Sequence, residues 1–376
     1  MTHQRRALSE RVHGMSKGAA AAGVAAGAAL LLAACGSTSD NGASTTSASA
    51  PAAASSGGGK RTLRLSTDLV VPGVPYNDQV VGSLPRAVSA ATNGDVNIKI
   101  YPNNELYRDQ GLALAAAQRG QVDLVITNNL KAQPIISAMD GPSLAFVGPT
   151  IDDYYKVLQP DTPFFREANR EAEAKGLELV PVGASSPGTG GVIFKSSTPT
   201  DTLSAVNGQR VRVPGAGLLA DELQDLGAQS IVLSTTEVAP ALNAGTVSAA
   251  IGTASFASGE LRGLVHGYLD SGTFQVGPYF IFASKKVWDS LTPEQQQGIA
   301  RGASTVVDDW LRKVSQEQAA ADDQLERDGL WVRRISPAEA SSLATRFQST
   351  SWKKFESEDP DAYRALEQTR AQLGLR

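Results

Sequence analysis

From Arg61 onward the chain alternates short strand patterns with amphipathic helical patterns, and this constrains the fold more than any other feature. Thr62-Leu63-Arg64-Leu65-Ser66 alternates with period two, and Pro72 to Pro75 makes a loop. Val80, Val81, Leu84, Ala87 and Val88 recur at helical spacing within 76–91, ending at Asn93-Gly94. Val96 to Tyr101 is a second strand, Leu112 to Arg119 a helix stopped by Gly120, and Val122 to Ile126 a third strand. Strand, helix, strand, helix, strand predicts a parallel sheet with crossover helices.

The pattern then repeats. Strands are expected at 177–182, 192–194, 209–213, 230–233 and 247–251, with helices at 218–226 and 236–243 and a short turn or helix at 202–208. A further strand, Ile281 to Ala283, follows Tyr279 and Phe280. From Pro293 the chain reads as mostly helical, with an apolar stripe through Ile299, Val306, Val307, Trp310, Leu311 and Val314. Two α/β units followed by helices form an architecture that commonly holds a small ligand in the cleft between lobes. The expected lobes are 61–189 plus 278–317, and 190–277 plus 318–376 with the C-terminal helices.

Composition removes much of catalytic chemistry. One cysteine excludes an internal disulfide framework and any multi-cysteine metal site, and His266 is the only histidine past the leader. The net charge of −4 becomes −7 without residues 1–34, and no basic cluster offers itself to nucleic acid. No cofactor and no metal are implied.

The first residues read as a secretory signal, with Arg5, Arg6, Arg11 and Lys17 before an uncharged run from Ala19 to Ala34. Leu32-Ala33-Ala34-Cys35-Gly36 resembles the bacterial lipobox, which implies a lipid on Cys35; a buried structural cysteine is the alternative. Two acyl chains bind a bilayer stably, so the protein would be membrane-anchored without spanning. Residues 36–60 have no hydrophobic periodicity and end in Gly57-Gly58-Gly59-Lys60, which reads as a tether with a reach of roughly 25–30 Å. The expected location is the extracytoplasmic face of the cell membrane.

Four ordered stretches carry a family resemblance. They are Tyr101-Pro102-Asn103-Asn104-Glu105-Leu106 with Ala115 to Asp123; Leu203 to Pro214, ending Arg210-Val211-Arg212-Val213-Pro214; Leu226-Gly227-Ala228 with Thr235 to Val238 and Ala241 to Val247; and Trp288-Asp289-Ser290-Leu291-Thr292-Pro293-Glu294-Gln295. Together they resemble the extracytoplasmic solute receptor of tripartite ATP-independent periplasmic (TRAP) transporters, the dicarboxylate-binding family. The resemblance implies a two-lobed α/β periplasmic-binding-protein-like fold with a hinge and a C-terminal helical region. It implies a non-enzymatic receptor that closes over a small organic acid and delivers it to TRAP permease membrane subunits.

The family's hallmark arginine falls on Arg212, whose planar fork suits a carboxylate. From the alternation with Val211 and Val213 alone, Arg212 reads as a surface or salt-bridged strand arginine. A helix opening near Leu218 could add backbone N–H groups. At a position where sugar-acid-binding members carry a second arginine stands Val192, and Gly252 replaces a frequent ligand-touching amide, which implies a smaller or less polar acid. Phe256, Asp68, Asn128, Tyr107 and Tyr279 are further candidates because they follow or flank strand ends, as do Asn129, Ser255 and Phe280. Turns, caps and core packing are the competing roles.

Gly215-Ala216-Gly217-Leu218-Leu219-Ala220 fits a relaxed dinucleotide pattern with Glu237 downstream, but it sits mid-chain after a proline. The pairs Asp152-Asp153, Asp308-Asp309 and Asp322-Asp323 read as solvated charges, since adjacent residues do not face one another. Two alternatives stay open: an ABC-type receptor, which a co-encoded ATPase would favour, and a secreted lipid-anchored hydrolase or lyase, which turnover of a bound acid would favour.

Overall fold

The structure, a computed structural model, describes residues 59–274 and 277–375. The signal sequence, Cys35 and the tether up to residue 58 lie outside the described residues. Strands β1 (Arg61–Thr67), β2 (Val96–Tyr101), β3 (Leu124–Asn128) and β4 (Leu177–Leu179) begin a first sheet. Then β5 (Gly190–Phe194), β6 (Arg210–Val213), β7 (Gln229–Val232), β8 (Ala249–Thr253) and β9 (Gly267–Asp270) build a second. The chain returns to the first sheet for β10 (Tyr279–Ser284) and to the second for β11 (Trp331–Arg334). The sheet orders are β2-β1-β3-β10-β4 and β11-β9-β5-β8-β6-β7. This is the two-lobed α/β architecture with a C-terminal helical region.

The expected parallel units are present, since β1 pairs in parallel with β2 and β3, and β6 with β7 and β8. Neither sheet is wholly parallel. Strand β10 enters antiparallel between β3 and β4, and β5 runs antiparallel between β8 and β9. Those strands pair with elements far away in sequence, so their direction is invisible to local periodicity. Strands β9 and β11 were not expected; each has four residues, and β11 interrupts the region read as helical. The strand expected over 177–182 stops at Leu179, and the one expected over 247–251 is shifted to Ala249–Thr253.

The helix expected over 76–91 is broken into a π-turn, Asn77–Gly82, and a helix, Leu84–Ala91. Pro85 sits in the first turn of the second piece, where its missing N–H costs nothing. The long helix Pro293–Leu311 starts with a capping box, in which Thr292 accepts from the Gln295 N–H and Gln295 reaches back. It packs on Leu84–Ala91 of the first sheet's side. After Arg312-Lys313 its successor, Val314–Arg327, packs on Ala254–Ser258 of the second. The last helix, Pro360–Gln372, lies on Pro163–Ala174, so the C-terminal helices reach back to elements that precede the second sheet.

Several motif residues are structural. Asp123 accepts the backbone N–H of Arg64 at 2.7 Å and its guanidinium at 3.1 and 3.2 Å, tying β1 to the start of β3. Asn103 and Asn104 adopt positive φ, and their N–H groups bond the carbonyls of Leu69 and Thr67, which fixes the turn after β2 against the end of β1.

Candidate functional site

A cavity of about 150 Å³ opens where the carboxyl ends of β1, β3, β6 and β8 converge, which is where ligands sit in such sheets. The first sheet supplies Asp68, Leu69, Val70, Asn128 and Tyr279; the second supplies Arg212, Pro214, Ile251 and Gly252, with Leu219, Ser255 and Phe256 from the helices behind them. A second, polar recess shares Asp68, Asn128 and Arg212 and adds Asn104, Arg108, Asp109, Gln110 and Lys131. One edge of the site is thus charged and the opposite wall apolar.

Arg212 is only 4% exposed and has no carboxylate partner among the described residues. Strand β6 places it beside β8, and two carbonyls fix its guanidinium: Nε donates to Leu233 O at 2.9 Å and Nη1 to Ile251 O at 3.0 Å. The Phe256 ring centroid lies 5.9 Å from Cζ. Among the described residues Nη2 has no hydrogen-bond partner, which leaves it open to whatever enters the cavity. Burial pushes its pKa down to about 10, partly offset by Tyr279, Asp68 and Glu237, so it stays cationic at neutral pH. A pre-aimed, desolvated guanidinium next to an apolar wall can grip an anion strongly, because water competes poorly there.

Asp68 follows β1. Its Oδ1 is buried and makes no hydrogen bond, and loss of solvent pushes its pKa up to about 6 despite its own backbone N–H and nearby Lys131 and Arg212. Asn128, 8% exposed, caps the short helix that begins at Asn129 by accepting from the Lys131 N–H, and also lines the cavity. Lys131 pairs with Asp109 at 2.7 Å. Tyr279 lines the cavity and is the first residue of β10, so the strand begins two residues earlier than expected.

Other expectations fail for packing reasons. Tyr107 packs against the core and does not line the cavity. Asn129 is fully buried and spends its amide on Met139 O at 3.0 Å and Ser143 Oγ at 2.7 Å. Phe280 is a core residue. Val192 belongs to the core as well and is absent from the lining. The helix N-terminus near Leu218 is already taken, since its N–H donates to Asp140 at 3.2 Å. Gly217, at φ 105°, would bring a Cβ to 2.6 Å of that carboxylate, and Gly215 would bring one to 2.8 Å of Leu130. Close packing therefore accounts for the glycines of the dinucleotide-like string.

Gly252 has a different explanation from a missing polar group. A Cβ there would lie 2.7 Å from Phe256 Cδ1 and 3.0 Å from Ile193 Cδ1, so the glycine is what lets the aromatic wall close in. Leu219, Ile251 and Lys131 were not anticipated as neighbours of the site. Their apolar or ion-paired character gave no signal, and only the crossing of the two sheets brings them there.

Fold and cavity together define a two-lobed extracellular-type binding protein with a buried arginine in its cleft. Residues 74–359 match the bacterial extracellular solute-binding protein family 7, and the chain belongs to that family. It is a binding protein and not an enzyme. The C4-dicarboxylate-binding periplasmic protein DctP of Rhodobacter capsulatus is 26% identical over 281 residues, 68% of this chain and 80% of that protein. A TRAP periplasmic solute binding protein from Rhodoferax ferrireducens with bound malonate superposes with a TM-score of 0.74 at 17% identity, covering 83% of this chain and 98% of that one. One from Sulfitobacter sp. NAS-14.1 with bound β-D-galacturonate gives 0.72 at 19% identity, covering 83% and 100%. An extracytoplasmic location fits the family. Among the described residues no helix is long and apolar enough to cross a membrane.

Proposed function

We propose that the protein captures a small organic carboxylate by closing its lobes around Arg212 and hands it to the membrane subunits of a TRAP-type permease. The observation that carries this reading is a buried guanidinium held by two carbonyls, unpaired with any acid among the described residues, lining the cavity. In this reading the two sheets belong to opposite lobes, 61–189 with 278–317 and 190–277 with the chain from 318. The last helix packs back on Pro163–Ala174 of the first lobe, and ligand contacts to both lobes bias the open–closed equilibrium toward closure. Arg212 binds the carboxylate, Phe256 and Tyr279 wall it, and Asp68 and Asn128 contribute polar contacts. Tyr107 is left out of the set. Cys35 carries the lipid that holds the protein at the extracytoplasmic membrane face, with 36–60 as spacer.

The test is calorimetric titration and thermal unfolding of the purified protein against a panel of organic acids. Linkage at a hundredfold excess over Kd gives about 2.7 kcal/mol of stabilisation, enough to move the melting temperature. Saturable binding of a few acids supports the reading, and a panel that neither binds nor stabilises would refute it.

A further inference from the structure

The cavity lining carries one guanidinium, Arg212, and two acids, Asp68 and Glu260, and Arg212 and Asp68 do not pair among the described residues. Asp68 and Arg212 line the same space and influence one another electrostatically, yet no salt bridge joins them among the described residues. Lys131, the other cation at the polar edge, is already paired with Asp109 at 2.7 Å. Among the described residues the Asp68 Oδ1 is a buried acceptor with no donor. Unpaired buried carboxylates are costly, and a fold retains one readily where a bound partner completes it.

We propose that the ligand is an acid bearing a second group that donates hydrogen bonds, a hydroxyl or an ammonium, with its carboxylate on Arg212 and that donor on Asp68. This rests on the carboxylate-binding reading above and narrows it to a substrate class. A second carboxylate placed on Asp68 would meet like charge in a poorly solvated site, so plain dicarboxylates are disfavoured. The rest of the molecule is apolar and compact, because the opposite wall is Leu219, Ile251 and Phe256.

Protonation of Asp68 supplies an internal control. Its carboxyl has a pKa pushed up to about 6 by burial; the groups that face it are Lys131, Asp109, Arg212, Tyr76 and Tyr279, and Glu260, itself raised by burial, lines the same cavity. Between pH 8 and pH 5 the arginine stays charged and the tyrosines, raised by burial, stay neutral. Asp109 is ion-paired with its pKa lowered, so it stays ionised. Acceptance by Asp68 therefore weakens as pH falls through about 6.

The experiment is calorimetry on the purified full chain with matched probes: 3-methylbutanoate, its 2-hydroxy and 2-amino derivatives, and succinate. Donor-bearing probes should bind at least tenfold tighter than 3-methylbutanoate and succinate, and the hydroxyl and ammonium arms identify which donor is used. Asp68→Asn should erase that preference and admit succinate. In the wild type, the preference should shrink between pH 8 and pH 5, a readout that needs no variant to fold. Equal binding of donor-bearing and donor-free acids, unaffected by Asp68→Asn or by pH while Arg212→Ala abolishes all binding, would overturn this inference and leave the carboxylate receptor standing. Absence of binding by every probe would overturn both.

Discussion

Replacing Arg212 by alanine separates its two tasks. In the ligand-free protein the side chain donates to the carbonyls of Leu233 and Ile251, at 2.9 and 3.0 Å. Truncation leaves both acceptors without a donor. An unsatisfied buried group costs about 1–3 kcal/mol, reduced where water from the open cavity can enter. The variant should thus melt a few degrees lower without unfolding. With ligand, the loss is one or two charge-assisted hydrogen bonds of about 1.5–3 kcal/mol each, which weakens binding on the order of 10- to 100-fold or more. Arg212→Lys keeps the charge but cannot serve two carbonyls and a carboxylate at once, so it should fall between wild type and alanine. Calorimetric Kd and ligand-free melting temperature, measured on all three proteins with one acid, check both effects. An alanine variant that melts lower yet binds within threefold of wild type would refute the reasoning, because Arg212 would then be a structural peg alone.

Gly252→Ala should push the Phe256 ring away from its 2.7 Å approach, costing roughly 1–3 kcal/mol from overpacking; unfolding of the variant with Phe256→Ala beside it would show the penalty relieved. Glu222 is buried, accepts from Ser351 Oγ at 2.6 Å and Ala145 N at 3.1 Å, and has its pKa pushed from 4.5 to about 8 by burial. Its folded-state pKa is raised, so this stabilisation is complete below about 4.5 and lost as pH rises through about 8. Glu222→Gln should therefore gain in melting temperature relative to wild type as pH rises from 5 to 8, and a constant difference would contradict the assignment. Thr292→Ala removes the N-cap of Pro293–Leu311 and should cost about 1 kcal/mol in denaturant unfolding, with no change in acid binding.

The local patterns were legible because they are local. The strand Val96–Tyr101 and the helix stop at Gly120 each follow from residues within one turn of the element they shape. The β10 insertion was not legible, since Phe282 pairs with Val125 on one side and Leu179 on the other, across long stretches of chain. Among the site residues, Arg212, Asp68, Asn128, Phe256 and Tyr279 do meet at one cavity, whereas Tyr107, expected there from its place in the loop after β2, is half-buried against the core and does not line it. Strand-end placement says that a residue is near the cleft, and it leaves the direction of the side chain open.

By itself, the sequence determined the two α/β units, the family, and the arginine at the end of a strand, because periodicity, caps and ordered motifs are properties of neighbouring residues. Tertiary structure alone decided that Arg212 is held by two carbonyls and spared any acid, that Asp140 occupies the helix N-terminus beside it, and that Gly252 makes room for Phe256. The reason is physical: burial and partner choice depend on which surfaces two separate sheets bring within a few ångströms, and that meeting is not encoded in any short stretch of chain.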